Sequence, residues 1–337
     1  MNVTTLHGPT RFQNFLKPLK ELLDNAAAVD NPSPFLFTNN ARDVFFRLEA
    51  LCRIYKGLHN KKLFDGLLAD FKEIEDAFGD IDYYDALEKE FLKFQTLPPA
   101  FLAYFTEGRN RAQEDLNKLL LKKKWISKKS VMIKEIESEL LKADWLEPNE
   151  ERKAIGKFLI KQIDNFTSQY EKGLLHFKDI ESGLHEFRRK LRWFSIYALV
   201  LDGLIQLKES GIEDEGFKKY LQPEIINSPF NILPEPPHDV QPFYINDQLF
   251  YAMSWMINET GKLKDAGLRE EAIHAALKDT GIQLIEVTDK LNMNDDPGEQ
   301  NTPAVICAQA ELIADEFIYK DRVMEKIKRD IYRGIET

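Results

Sequence analysis

The stretch 184–207, LHEFRRKLRWFSIYALVLDGLIQL, constrains the fold of this chain more than any other. At about 100° per residue, Leu184, Phe187, Leu191, Phe194, Ala198, Leu201 and Ile205 share one face, the periodicity of a core-facing helix. On the opposite side His185, Arg188, Arg189 and Arg192 recur at i, i+3, i+4 and i+7, so four potential cations form one stripe. Past Arg192 the pattern changes: Ile196, Leu199, Val200 and Gly203 continue the side of the stripe, which predicts a helix that is apolar all round and buried from Trp193 onward. The stripe therefore stands at the end of a central helix, where like charges repel unless they meet carboxylates, solvent or a bound anion. Partner Asp and Glu residues are one answer, because Arg is rarely buried unpaired. An anion site is the other, because guanidinium forks bind phosphate oxygens bidentately.

Composition narrows the choice. A chain of 337 residues, 43% of them apolar, can bury one large core or two ordinary ones, and two domains are expected. The net charge of −10 and pI near 5.3 argue against general binding to nucleic acid or to an anionic membrane, so any anion site must be local. Cys52 and Cys307 lie in apolar helical patterns without a CxxC neighbour, which fits buried thiols in a reducing compartment. The N-terminal sequence lacks a charged start followed by an apolar run, and no stretch reaches the apolar length of a membrane span, so a cytoplasmic location is expected. The N-x-T triplets at Asn2, Asn165 and Asn258 carry no meaning without secretion.

Helical periodicity recurs along the chain and strand signals are nearly absent, so the expected class is all-α. A first helix is predicted over 10–29 and a second over 39–57, capped by Thr38 or Asn39, with Val44, Phe45, Leu48, Leu51, Cys52 and Tyr55 inward. The other face of this second helix carries Asn39, Arg42, Phe46, Glu49 and Arg53, a diluted basic stripe in which Glu49 and Arg53 are spaced as an i,i+4 ion pair. A third helix is predicted over 61–78 with Gly79 as its stop, and a fourth over 83–95, ended by Pro98-Pro99. Short turns between successive helices imply an antiparallel bundle, with the first module, 1–125, closing near Trp125.

Between 109 and 134, nine basic residues (Arg109, Arg111, Lys118, Lys122, Lys123, Lys124, Lys128, Lys129 and Lys134) face only Glu114 and Asp115, the pattern of a solvated helix face. The second module, 126–337, continues with helices over 129–143 and 149–174 before the organising helix. A Pro-rich excursion follows at 210–242. Helices then resume over 246–261, 268–293 and 303–333, separated by GKLKDAG and by an exposed loop with an Asp296-Pro297-Gly298 turn.

A weak internal repeat runs through this order: an arginine-bearing helix, further helix, then a Gly turn, AFGDIDYYDAL in the first half and ETGKLKDAGL in the second. Together with LHEFRRKLRW, it resembles the CHAD family, the conserved-histidine α-helical domain, over roughly 34–333. His185 and Arg188 match that family's His-x-x-Arg, with Arg189, Lys190 and Arg192 as the accompanying cluster. Lys264-Asp265 follows the second Gly turn. In the first half Arg42 and Arg47 match basic positions, while Asn39 stands where the histidine belongs, Glu49 replaces a basic residue and Asp82-Tyr83 departs from Arg-Asp. The resemblance implies two pseudo-repeated antiparallel helical bundles, no catalysis and no cofactor. It also implies a basic groove in which Arg42, Arg47, Arg53, His185, Arg188, Arg189 and Arg192 hold inorganic polyphosphate or a similar polyanion. The alternative is a CHAD-like scaffold that has lost the groove and works through protein partners, its sign being carboxylates that neutralise the stripe together with an exposed apolar patch of several hundred Å². A metal-dependent enzyme is the third class: Glu271 and His274 form half of a Glu-x-x-His pair set, and Glu181 with His185 is spaced for an ion pair or a shared metal. His176 lies nearby in sequence. No glycine-rich phosphate loop, HExxH or GxSxG is present.

Overall fold

The computed structural model describes residues 6–94, 96–127, 130–211, 215–288, 290–291 and 302–336. Asn2, Gln95, Lys128, Lys129, Met293 and the Asp296-Pro297-Gly298 turn lie outside the described residues. The architecture is all-α, with two short strands as its only sheet among the described residues. The chain divides into two compact units. The first combines Leu6–Trp145 with the segment that begins at Glu271, and the second combines Leu146–Glu270 with the helices from Pro303 onward. This division differs from a boundary near residue 125.

In the first unit, α1 (His7–Ala26) buries Phe12, Leu16, Leu19 and Leu23 along one face. The turn that follows does not run straight to the arginine helix. Pro32, at the first helical position, where its missing N–H costs nothing, starts a short α2 (Pro32–Thr38). Asn40, in the left-handed region at φ 55°, then starts α3 (Ala41–Tyr55), so neither Thr38 nor Asn39 is its cap.

α4 (Lys61–Phe91) is one continuous helix where two were expected. Gly79 lies inside it rather than ending it: a β-carbon there would stand 3.0 Å from Arg42 Nη2, so the glycine makes room for a side chain of α3. α4 packs against both α3 and α5 (Pro99–Lys122). Phe45, Phe71, Phe78 and Trp125 form the centre of this layer, with Phe45 and Trp125 rings edge to face at 5.1 Å.

α6 (Val131–Leu140) packs on α1, and Trp145 just beyond it joins Phe12, Tyr55, His59 and Phe64 in an aromatic cluster. That cluster is why 126–145 belongs with the first unit. Of the 109–134 cations that are described, Arg111, Lys118 and Lys123 pair with Glu107, Asp115 and Glu73, and Arg109 turns inward to Glu88.

The second unit starts with α7 (Pro148–Glu171), whose Phe166 and Tyr170 meet Phe187 at 5.2 and 5.6 Å. A π-helical turn, Ile180–His185, leads into α8 (Glu186–Val200). Trp193, Ile196, Tyr197, Ala198 and Val200 are buried, as the all-round apolar pattern predicts. The helix ends at Val200 instead of continuing to Leu207, because Asp202 and Gly203 take positive φ angles of 52° and 78°.

Ile205–Lys208 is then a strand, β1, paired in parallel with β2 (Phe243–Asn246) in the register Ile205 to Phe243. Parallel strands need a crossover. The Pro-rich excursion supplies it, holding a 3₁₀ turn at Glu215–Tyr220, the single-turn α9 (Pro223–Ile226) and a second 3₁₀ turn at Pro229–Asn231.

β2 runs directly into α10 (Asp247–Thr280), again one helix where two were expected. Gly261 is inside it, and a β-carbon there would lie 2.9 Å from Arg188 Nε. Past Glu270 the helix belongs to the first unit, where Ala272, Ile273, Ala276 and Leu277, with Val287 of the short α11 (Ile285–Thr288), pack on Phe91, Phe101 and Phe105.

The expected helix over 303–333 is broken. α12 (Pro303–Asp315) is followed by a π-helical turn, Glu316–Lys320, and Arg322 at φ 52° starts α13 (Val323–Glu336), which packs on α7 and β2. Cys52 and Cys307 are buried thiols, not joined in a disulfide. No helix among the described residues is long and apolar enough to cross a membrane.

Candidate functional site

The two arginine-bearing helices fall in different units, and each set is built within its own. On α3, Arg42 reaches across to α4. Its Nε donates to Glu75 Oε1 at 2.8 Å and its Nη1 pairs with Asp82. Burial works against its charge, but Glu75 and Asp82 outweigh that and raise its pKa. Arg47 Nε donates to Asp43 Oδ2 at 2.6 Å, one turn back on the same helix.

Arg53 uses Nε and Nη2 on Glu49 Oε1, at 2.9 and 2.6 Å, the pair that the i,i+4 spacing predicts. Glu49 is 1% exposed, and its Oε2 is buried without a hydrogen-bond partner. Burial raises its pKa although Arg53 pulls the other way. Burial likewise pushes the Cys52 thiol well up, which removes it as a nucleophile.

At the start of α8, the π-helical turn is closed by Asp179, which accepts from the Ser182 N–H at 2.6 Å. Glu181 Oε1 lies 3.0 Å from His185 Nδ1. Glu186 accepts from Arg189 Nε at 2.8 Å and pairs with Lys190 at 3.1 Å. Burial alone would raise the Glu186 pKa, but these two cations bring it down. Arg192 is half-buried and also engaged.

Arg188 is different. Its Nε donates to the Ile257 carbonyl of α10 at 3.0 Å, beside Gly261, and among the described residues no Asp or Glu forms an ion pair with it. Burial lowers its pKa and the more distant Asp265 offsets part of this. Asp265 itself pairs with Lys264 at 2.5 Å, inside α10 rather than after a turn.

Glu75 and Asp82 as acceptors of Arg42 have no signature in the sequence, since they lie on another helix. A second polar group of the same kind, Glu88 with Arg109 at 2.5 Å and Thr106 at 2.8 Å, links α4 to α5. Glu271 and His274 are both exposed on α10, and among the described residues no three His, Cys, Asp or Glu side chains group closely enough to hold a metal ion. His176 accepts from the Lys178 N–H at 3.3 Å. Comparison with protein-family models, with curated proteins and with solved structures found no match to this chain.

Proposed function

We propose that this chain is a divergent CHAD-like helical scaffold, noncatalytic, that works through protein contacts, its basic stripes being largely neutralised by its own carboxylates. One observation supports this reading over polyphosphate binding: Arg42, Arg47, Arg53, His185 and Arg189 each engage a carboxylate of the chain itself. A phosphate group reaching these side chains would have to displace acceptors already in place. The net charge of −10 gives it no long-range attraction.

The polyphosphate reading retains one specific support, the Arg188 guanidinium, which meets a carbonyl instead of a carboxylate. Calorimetric titration of long-chain polyphosphate at low salt and at about 0.15 M, with Arg188→Ala and Arg192→Ala alongside, separates the two. The scaffold reading expects no saturable heat at the higher salt. Tight binding that weakens with salt and in both variants overturns it.

A further inference from the structure

Resting on the scaffold reading, we infer that the groove between α7 and the π-helical turn Glu316–Lys320 is a docking site for a partner's peptide segment, apolar on one side and bordered by Lys or Arg. The groove has a volume of about 550 Å³ and lies within the second unit. Ile163 of α7, with Ile318, Tyr319 and Met324 opposite, forms its apolar lining, and Glu171 lines its α7 side. Tyr319 carries this surface onto an exposed face of α12. Leu312 is 71% and Tyr319 53% exposed, and Glu311 and Asp315 share that face.

Each charge along the groove has to be taken with its partner. Asp164 holds Lys328 at 2.5 Å. Glu325 holds both Arg322 and Arg329. Glu316 holds Lys219 and Lys320, at 2.9 and 2.7 Å. These groups are answered within the chain. Glu171, Glu311 and Asp315 are exposed, and among the described residues no cation pairs with any of them. Asp315 accepts from the Tyr170 hydroxyl at 2.7 Å, a neutral donor that leaves its charge unbalanced. Lys172 and Lys178, on either side of the turn after α7, form no ion pair with these carboxylates.

The three carboxylates surround one pair of rings, Tyr170 and Tyr319, whose centres are 5.7 Å apart. Burial, then the Asp315 and Glu171 charges, raise the pKa of Tyr319; burial, then Asp315, Tyr319 and Glu311, raise that of Tyr170. On α3 each arginine has its own carboxylate; here the carboxylates lack cations. An apolar surface so bordered complements an amphipathic segment with basic side chains beside its apolar stripe. From Glu311 to Tyr319 the surface runs roughly 12 Å along the helix axis, at 1.5 Å per residue. That length exceeds the reach of a single amine and suits a peptide.

The test is fluorescence anisotropy of a labelled amphipathic helical peptide, Leu along one face and Lys on its borders, titrated with the full chain at low ionic strength. A second peptide carries Glu in place of every Lys. Saturable binding of the first and none of the second is expected. Glu171→Gln combined with Glu311→Gln should weaken it by an order of magnitude, and Leu312→Ser by several-fold. The matched pair Glu114→Gln and Glu135→Gln, on exposed carboxylates of the first unit, should leave it unchanged. All five side chains are exposed, and thermal melts check that the variants keep the fold. Absence of saturation, or equal weakening by the first-unit pair, overturns the docking site. Displacement of the peptide by phenethylammonium, with Leu312→Ser without effect, marks a small-amine pocket and overturns it as well. No residue of this surface belongs to the Arg42 or Arg188 stripes, so polyphosphate titration decides the scaffold reading separately.

Discussion

The Arg188 guanidinium occupies the space that a β-carbon on Gly261 would need: Nε stands 2.9 Å from that position and donates to the carbonyl of Ile257 at 3.0 Å. Arg42 stands in the same relation to Gly79, with Nη2 at 3.0 Å. A helix surface bare of side chain lets a guanidinium lie against the backbone and reach polar groups there.

Replacing Gly261 with Ala therefore sets two effects against each other. Higher helix propensity favours Ala by about 1 kcal/mol. Displacing Arg188 forfeits a charged hydrogen bond of roughly 1.5–3 kcal/mol. The single substitution should destabilise the chain by about 1 kcal/mol, and the same substitution in an Arg188→Ala background should stabilise it. Urea unfolding of the four chains reads the coupling directly; additive effects would mean that Arg188 and Gly261 act independently.

Glu75 is the more buried of the two acceptors of Arg42, with its side chain 10% exposed. Glu75→Gln should lower stability by roughly 1.5–3 kcal/mol, the worth of a hydrogen bond to a charged group. Combined with Asp82→Asn it should also give the chain a measurable affinity for polyphosphate at low salt that the parent lacks. A doubly substituted chain still indifferent to polyphosphate would show that carboxylate pairing is not what silences this stripe.

Glu49 predicts a pH dependence. Its pKa in the folded chain is raised above the ordinary glutamate value by burial, so the folded state binds the proton more tightly than the unfolded state. The stabilisation that follows is fully present below the ordinary glutamate pKa and is lost as pH rises through the raised one. Glu49→Gln cannot titrate. The melting temperature of wild type relative to this variant should fall as pH rises across that window and level off above it; a difference that is constant with pH would remove Glu49 from the account.

Gly203 and Gly66 should respond to Ala in opposite directions. Gly203 has φ 78°, and a β-carbon there would come within 2.4 Å of the Pro236 backbone, which cannot yield as a side-chain tip can. Gly203→Ala should destabilise by more than about 1 kcal/mol, the upper end of what Ala gains at compatible sites. Gly66 lies within α4 with nothing inside 4 Å of the added carbon, and Gly66→Ala should stabilise by up to about 1 kcal/mol. Thermal melts of the two variants decide both.

Much of the helical order was legible in the sequence because it depends on local spacing. α1, α3, α7 and α8 lie close to their apolar periodicities, and the Glu49–Arg53 and Glu181–His185 pairs follow from i,i+4 spacing. What failed depended on contacts distant in sequence. Gly79 and Gly261 read as helix stops because glycine usually is one, and nothing local reveals the arginine that each accommodates. Ile205 and Leu207 fit a buried helix end as well as a strand, and only pairing with Phe243 and Ile245 decides between them.

The core of the first unit has a consequence for synthesis. Phe91, Phe101 and Phe105 are covered by Ala272, Ile273, Ala276 and Leu277, which leave the ribosome long after them. At 5–20 residues per second the delay is on the order of ten to thirty seconds. Throughout that interval the nascent N-terminal helices carry three phenylalanines whose native cover is still untranslated, so this core closes only when the later half of the chain arrives.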